Sequence, residues 1–153
     1  MNIDEVEILL VEASPMDIEL TLHVLRREKL SNKIHVVRDG EEALDFLFCR
    51  GAYSDRSLSE PPRLVILDLK LPKVDGLQVL RALKSEVQTQ AIPVIVLTSS
   101  KEDPDLVESY QLGVNSYIQK PVDFGQFRET IKHWGLYWLV VNQPVPYRTL
   151  SWK

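Results

Sequence analysis

The chain has 153 residues and a formal net charge of −4, enough for one domain with a sizeable core and without the basic footprint of a nucleic-acid binder. Its single cysteine, Cys49, excludes an intrachain disulfide and suits a reducing cytosol. No apolar run is long enough to span a bilayer, and residues 1–5 are acidic where a signal peptide would be basic, so a cytoplasmic protein is expected.

Ile8-Leu9-Leu10-Val11 reads as a first strand buried on both faces, and it ends in Glu12. Ser14 and Pro15 open a helix; Asp17 faces its positive end and is read as a helix-dipole residue, while Ile18, Leu22 and Leu25 face inward. A second strand, Ile34 to Val37, is followed by a helix from Asp39-Gly40, with Ala43, Leu44, Leu47 and Phe48 inward and Cys49 on the same element. Gly51 to Pro62 is a long polar loop. Leu64-Val65-Ile66-Leu67 is the third strand and ends in Asp68. A helix spans Gly76 to Glu86, with Leu77, Leu80 and Leu83 inward and Asp75 as its turn and start. Ile92 to Leu97 is the fourth strand, ending in Thr98. A fourth helix begins at Asp103-Pro104 and stops at Gly113. Val114 to Ile118 is the fifth strand, followed by Gln119-Lys120-Pro121; Asp123 and Gln126 then stand at capping-box spacing.

Five strand–helix repeats predict an α/β fold, a parallel sheet with helices on both faces. The carboxyl ends of such strands share one edge, where ligands bind. That edge collects Glu12, Asp68, Thr98 and Lys120. Two carboxylates, a hydroxyl and an ammonium are the parts of a phosphoryl-transfer site, with Asp68 as nucleophile and hard oxygen donors suited to Mg²⁺.

Ile-Leu-Leu-Val-Glu, Leu-Asp-Leu-Lys-Leu-Pro-Lys-Val-Asp-Gly, Val-Leu-Thr-Ser-Ser and Tyr-Ile-Gln-Lys-Pro, in this order, resemble the receiver domain of two-component response regulators from Val6 to Trp134. The resemblance implies a flavodoxin-like (βα)5 fold with strand order 2-1-3-4-5. It implies a histidine kinase as donor, Asp68 as phosphoacceptor and Lys120 on the phosphate. Thr98 and Tyr117 would be the switch pair. Glu12, Asp68 and the backbone carbonyl of Lys70 would hold Mg²⁺, and the Lys120-Pro121 bond would be cis. Two residues depart from the family pattern. Ala13 stands where a second acid is usual, which should weaken metal binding, and Lys70 carries an ammonium that could reach toward the phosphate. A degenerate receiver that signals without phosphorylation is therefore the alternative. A phosphohydrolase would want an acid at Lys70, and a flavin binder a glycine- and hydroxyl-rich loop after the first strand; neither is present.

The receiver domain is assigned to residues 1–135 and an aromatic tail to 136–153. Around that boundary Trp134, Tyr137 and Trp138 give more apolar surface than the end of one helix needs, so a partner is expected. This aromatic end, the later Asn142 to Pro146 run and the long loop are similar to stand-alone response regulators of cyanobacterial phytochromes. That narrower resemblance implies a phytochrome kinase as donor and a homodimer using the tail together with the face between the fourth and fifth helices.

Overall fold

A computed structural model of the chain describes residue 6 and residues 8–27, 33–99, 103–120 and 124–131. Five strands, β1 (Ile8–Val11), β2 (Ile34–Val37), β3 (Leu64–Leu67), β4 (Val94–Thr98) and β5 (Ser116–Gln119), alternate with α1 (Pro15–Arg27), α2 (Gly40–Leu47), α3 (Gly76–Ser85), α4 (Asp103–Gln111) and α5 (Phe124–Ile131). All neighbouring strands pair in parallel, in the order β2-β1-β3-β4-β5. This is the expected flavodoxin-like topology.

Side chains alternate across a pleated sheet, and here both faces are covered. Leu9, Val11, Val65, Leu67, Val94 and Val96 pack with Ala43 and Phe46 of α2 and Val79, Leu80 and Leu83 of α3. Ile8, Leu10, Leu64, Ile66, Ile95 and Leu97 pack on the other side with Ile18, Val24 and Leu25 of α1 and Phe127 of α5. Every residue of β1, β3 and β4 is buried, which is why these strands read as unbroken apolar runs.

The helix starts follow local chemistry. Asp39 Oδ1 accepts the Glu42 N–H at 2.7 Å, and Asp75 forms a reciprocal capping box with Gln78. Gly113, at φ +95°, follows α4 in the left-handed conformation that glycine tolerates. Asp123 and the Lys120-Pro121 bond lie outside the described residues, as do Trp134, Tyr137 and Trp138.

Three details differ from expectation. β5 begins two residues later, because the Val114 N–H bonds back to Ser109 and the Asn115 side chain accepts the Val94 N–H. β4 begins after Pro93, which has no N–H to give the ladder. Cys49 sits just past α2, at φ +57°.

One glycine matters to the site. A β-carbon on Gly76 would stand 2.4 Å from both the Asp68 carbonyl oxygen and the Leu69 Cα. Its N–H donates to the Leu69 carbonyl at 2.9 Å, so α3 begins directly against the peptide that follows Asp68.

Candidate functional site

Backbone hydrogen bonds between strand ends bring the site residues together. The Glu12 N–H donates to Val37, the Asp68 N–H to Val11 and the Lys120 N–H to the Thr98 carbonyl at 2.8 Å. Each of these residues is thus held as a one-step continuation of its strand at the sheet's carboxyl edge.

The Lys120 ammonium is the centre of the cluster. It donates to Glu12 Oε1 at 2.8 Å, Asp17 Oδ2 at 2.7 Å and Asp68 Oδ2 at 3.1 Å. An ammonium has three N–H donors, and three carboxylates take them. Asp68 Oδ1 accepts the Lys70 N–H at 3.0 Å, and Glu12 Oε2 accepts the Ser14 N–H at 3.1 Å. Glu12, Asp68 and Thr98 are all buried, with Glu12 only 2% exposed.

Burial raises the Glu12 carboxyl to about 7, with the Asp68 charge adding to the shift and Lys120 opposing it. For Lys120 itself burial disfavours the charge, but hydrogen bonds to Asp17 and Glu12 and the charge of Asp68 outweigh it and push its pKa upward.

Asp17 stands where the helix-dipole reading puts it and has a second partner besides. It sits in the first turn of α1, with its N–H on Ser14 Oγ at 3.3 Å, yet its carboxylate is engaged by Lys120. The Lys70 ammonium stands 3.9 Å from Asp105 Oδ2 on α4, an attraction that the sequence did not suggest. Thr98 and Tyr117 lie on one face of the sheet: Tyr117 pairs in register with Val96, two residues before Thr98, and its ring packs on the α2–α3 side. Sequence reasoning also missed Arg56. It is buried under the long loop, lies 3.8 Å from the centroid of the Phe46 ring and donates to the carbonyls of Phe46 and Glu60.

Among the described residues no three acidic, histidine or cysteine side chains are grouped to cage a metal by themselves. Mg²⁺ does not require such a cage: it keeps several waters and takes one or two carboxylates. Glu12 and Asp68 reach one ammonium from two strand ends, an all-oxygen, negatively charged donor set that fits a hard divalent cation.

Together these features define a doubly wound α/β protein with an acid-and-lysine crevice at the carboxyl ends of its strands. The chain belongs to the response regulator receiver domain family, which it matches over residues 8–132. It is similar to the probable methanogenesis regulatory protein FilR2 of Methanothrix harundinacea, at 42% identity over 89% of this chain and 85% of that one. Among solved structures it resembles the bacteriophytochrome response regulator RtBRR, with 50% identity, a TM-score of 0.77 and coverage of 95% of this chain and 87% of that chain. The phosphorylated cyanobacterial phytochrome response regulator RcpA aligns at 37% identity and a TM-score of 0.75, covering 91% and 97% of the two chains. The Mn²⁺-bound form of response regulator Rcp1, a protein of Synechocystis, aligns at 34% identity and a TM-score of 0.75, covering 91% and 98%. The chain is thus a two-component receiver related to phytochrome response regulators. Domains of this family are signalling modules rather than metabolic enzymes. No helix among the described residues is long and apolar enough to cross a membrane.

Proposed function

We propose that this response regulator accepts a phosphoryl group on Asp68 from a phytochrome histidine kinase and then signals by protein–protein contact. The observation that carries the reading is the convergence of Glu12 and Asp68, from two strand ends, within 3.1 Å of the ammonium that Lys120 brings from a third. An Asp68 carboxylate oxygen attacks phosphorus. The bond from phosphorus to the donor imidazole nitrogen breaks, its electron pair stays with the imidazole, and an acyl phosphate forms. Lys120 turns from Asp68 to the phosphoryl oxygens and balances their charge. Thr98, buried at the end of β4, moves to offer its hydroxyl to the same group, and the Tyr117 ring on the same face turns inward behind it, which couples the site to the α4–β5–α5 surface.

Glu12, Asp68 and the Lys70 carbonyl would hold Mg²⁺, which when bound neutralises charge on the transferring phosphoryl group. Ala13 adds no donor beside Glu12, so cation affinity is weak for such a site.

Likeness to RtBRR and RcpA supports a phytochrome donor, and the apolar residues Trp134, Tyr137 and Trp138 in the sequence favour a homodimer that uses them together with the α4–α5 face. A chain whose lone Cys49 is free suits the cytoplasm.

Intact mass after incubation with acetyl phosphate and Mg²⁺ tests the function. One adduct of about 80 Da, absent from Asp68→Ala, is expected. The absence of any adduct on the folded chain would move the function to phosphorylation-independent binding. Ala13 and the three carboxylates already sharing Lys120 favour that second reading.

A further inference from the structure

We infer that Asp17 is a positioning residue that takes sole hold of Lys120 when a divalent cation claims the carboxylates of Glu12 and Asp68. The inference rests on the cation reading of the site given above.

The argument starts from the count of donors and acceptors. All three N–H bonds of the Lys120 ammonium are spent on Glu12, Asp17 and Asp68, at 2.8, 2.7 and 3.1 Å. The two acids that suit a cation are therefore the two that the ammonium already occupies. A cation and an ammonium cannot share these oxygens without strong repulsion in a buried site. The ammonium must release Glu12 and Asp68 yet stay in the crevice, because its own side chain is only 12% exposed.

Asp17 is the group placed to keep it. It comes from α1 rather than from a strand end, and its side chain is 31% exposed against 2% for Glu12 and 6% for Asp68. It makes the shortest of the three contacts. Its backbone is fixed by the Ser14 cap, so the carboxylate is held at the rim without a strand of its own. The side chain of Ala13 offers no competing acceptor. Two places for one ammonium, between Glu12 and Asp68 or on Asp17 alone, allow the site to exchange its internal cation for an external one.

The test is Mn²⁺ affinity, read from the electron paramagnetic resonance signal of free Mn²⁺, across a double-mutant cycle of Asp17→Asn and Lys120→Met. With Lys120 present, Asp17→Asn is expected to weaken Mn²⁺ binding about tenfold; with Lys120→Met in place the same change is expected to cost under about threefold. Equal losses in the two backgrounds, or no loss with Lys120 present, would overturn the inference. Should Lys120→Met fail to fold, Asp17→Glu decides. Recovery to within about threefold of the wild type supports the holding role, and a loss equal to that of Asp17→Asn overturns it. Melting temperatures of the same variants separate a merely structural role, which lowers stability without moving Mn²⁺ affinity. A wild-type chain that binds no Mn²⁺ overturns the cation reading itself, and this inference with it.

Discussion

Two polar clusters, one under the long loop and one at the strand ends, are built on different terms. In the corner formed by β2, α2 and the long loop, hydrogen bonds and ring contacts tie the chain together. Tyr53 donates its hydroxyl to Glu42 at 2.7 Å and lies 2.8 Å from His35 Nε2, while His35 stacks on Phe46 at 4.9 Å. Arg56 covers the other groups there, over the Phe46 ring and on two carbonyls. Burial keeps the His35 imidazole pKa low, against the pull of Glu42, and raises that of the Tyr53 hydroxyl, so both stay neutral near pH 7. At the strand ends three carboxylates face one ammonium, and Glu12 is pushed up to about 7 by burial beside Asp68. The corner is a network of hydrogen bonds and ring contacts that holds a loop. The strand-end site keeps an excess of negative charge that a cation or a moving proton can relieve, and that imbalance marks it as reactive.

Removing the cation from the unbalanced cluster should have the largest effect. Lys120→Met leaves Glu12, Asp17 and Asp68 without their shared partner, which costs about 3–5 kcal/mol near pH 7.5 for a buried pair broken from one side. Urea unfolding measures it, and the cost should shrink toward pH 5 as Glu12 takes up a proton. A variant as stable as the wild type at pH 7.5 would mean that Lys120 is not what balances these acids.

A smaller effect isolates Glu12. In the folded chain its carboxyl keeps its proton up to about pH 7, whereas in the unfolded chain it ionises near 4.5. Between those values the folded state binds more protons, so Glu12 makes stability fall as pH rises; below 4.5 and above 7 it contributes no slope. Glutamine does not titrate. The stability of Glu12→Gln relative to the wild type should therefore rise by about 1–3 kcal/mol from pH 4.5 to pH 7 and then level off. A difference that stays flat across that window would show that burial does not hold the Glu12 proton.

The two regions also differ in how well the sequence announced them. β1, β3 and β4 were legible because parallel strands buried on both faces are nearly all apolar, and Glu12 and Asp68 follow such runs where the chain leaves the sheet, while Thr98 closes β4. Asp17 was not legible in its present role. An acid in a first helical turn has a sufficient local reason to be there, and its bond to Lys120 joins residues 103 positions apart. Arg56 was hidden for the same reason, since a loop arginine reads as solvated until the Phe46 ring beneath it is known. Phe46 was itself passed over as an inward residue of α2 in favour of Leu44 and Phe48, which are only partly buried. A helix of eight residues gives too few turns to fix the direction of its inner face.

The smallest effect tests whether the corner is only structural. Because the Tyr53 hydroxyl gives its proton to Glu42, the imidazole must be the donor in the contact between His35 and Tyr53. Tyr53→Phe removes both hydrogen bonds but keeps the ring packed edge-on against Phe46, 5.0 Å between centroids. His35 and Glu42 are only partly buried, so water can replace the lost partner, and the cost should stay near the low end for buried hydrogen bonds, about 1–2 kcal/mol in urea unfolding. Phosphoryl uptake from acetyl phosphate and Mn²⁺ affinity should not change, since no charge at the strand ends has been altered. A shift in either would couple the long loop to the site and end the distinction between a corner that holds the fold and an edge that does the chemistry.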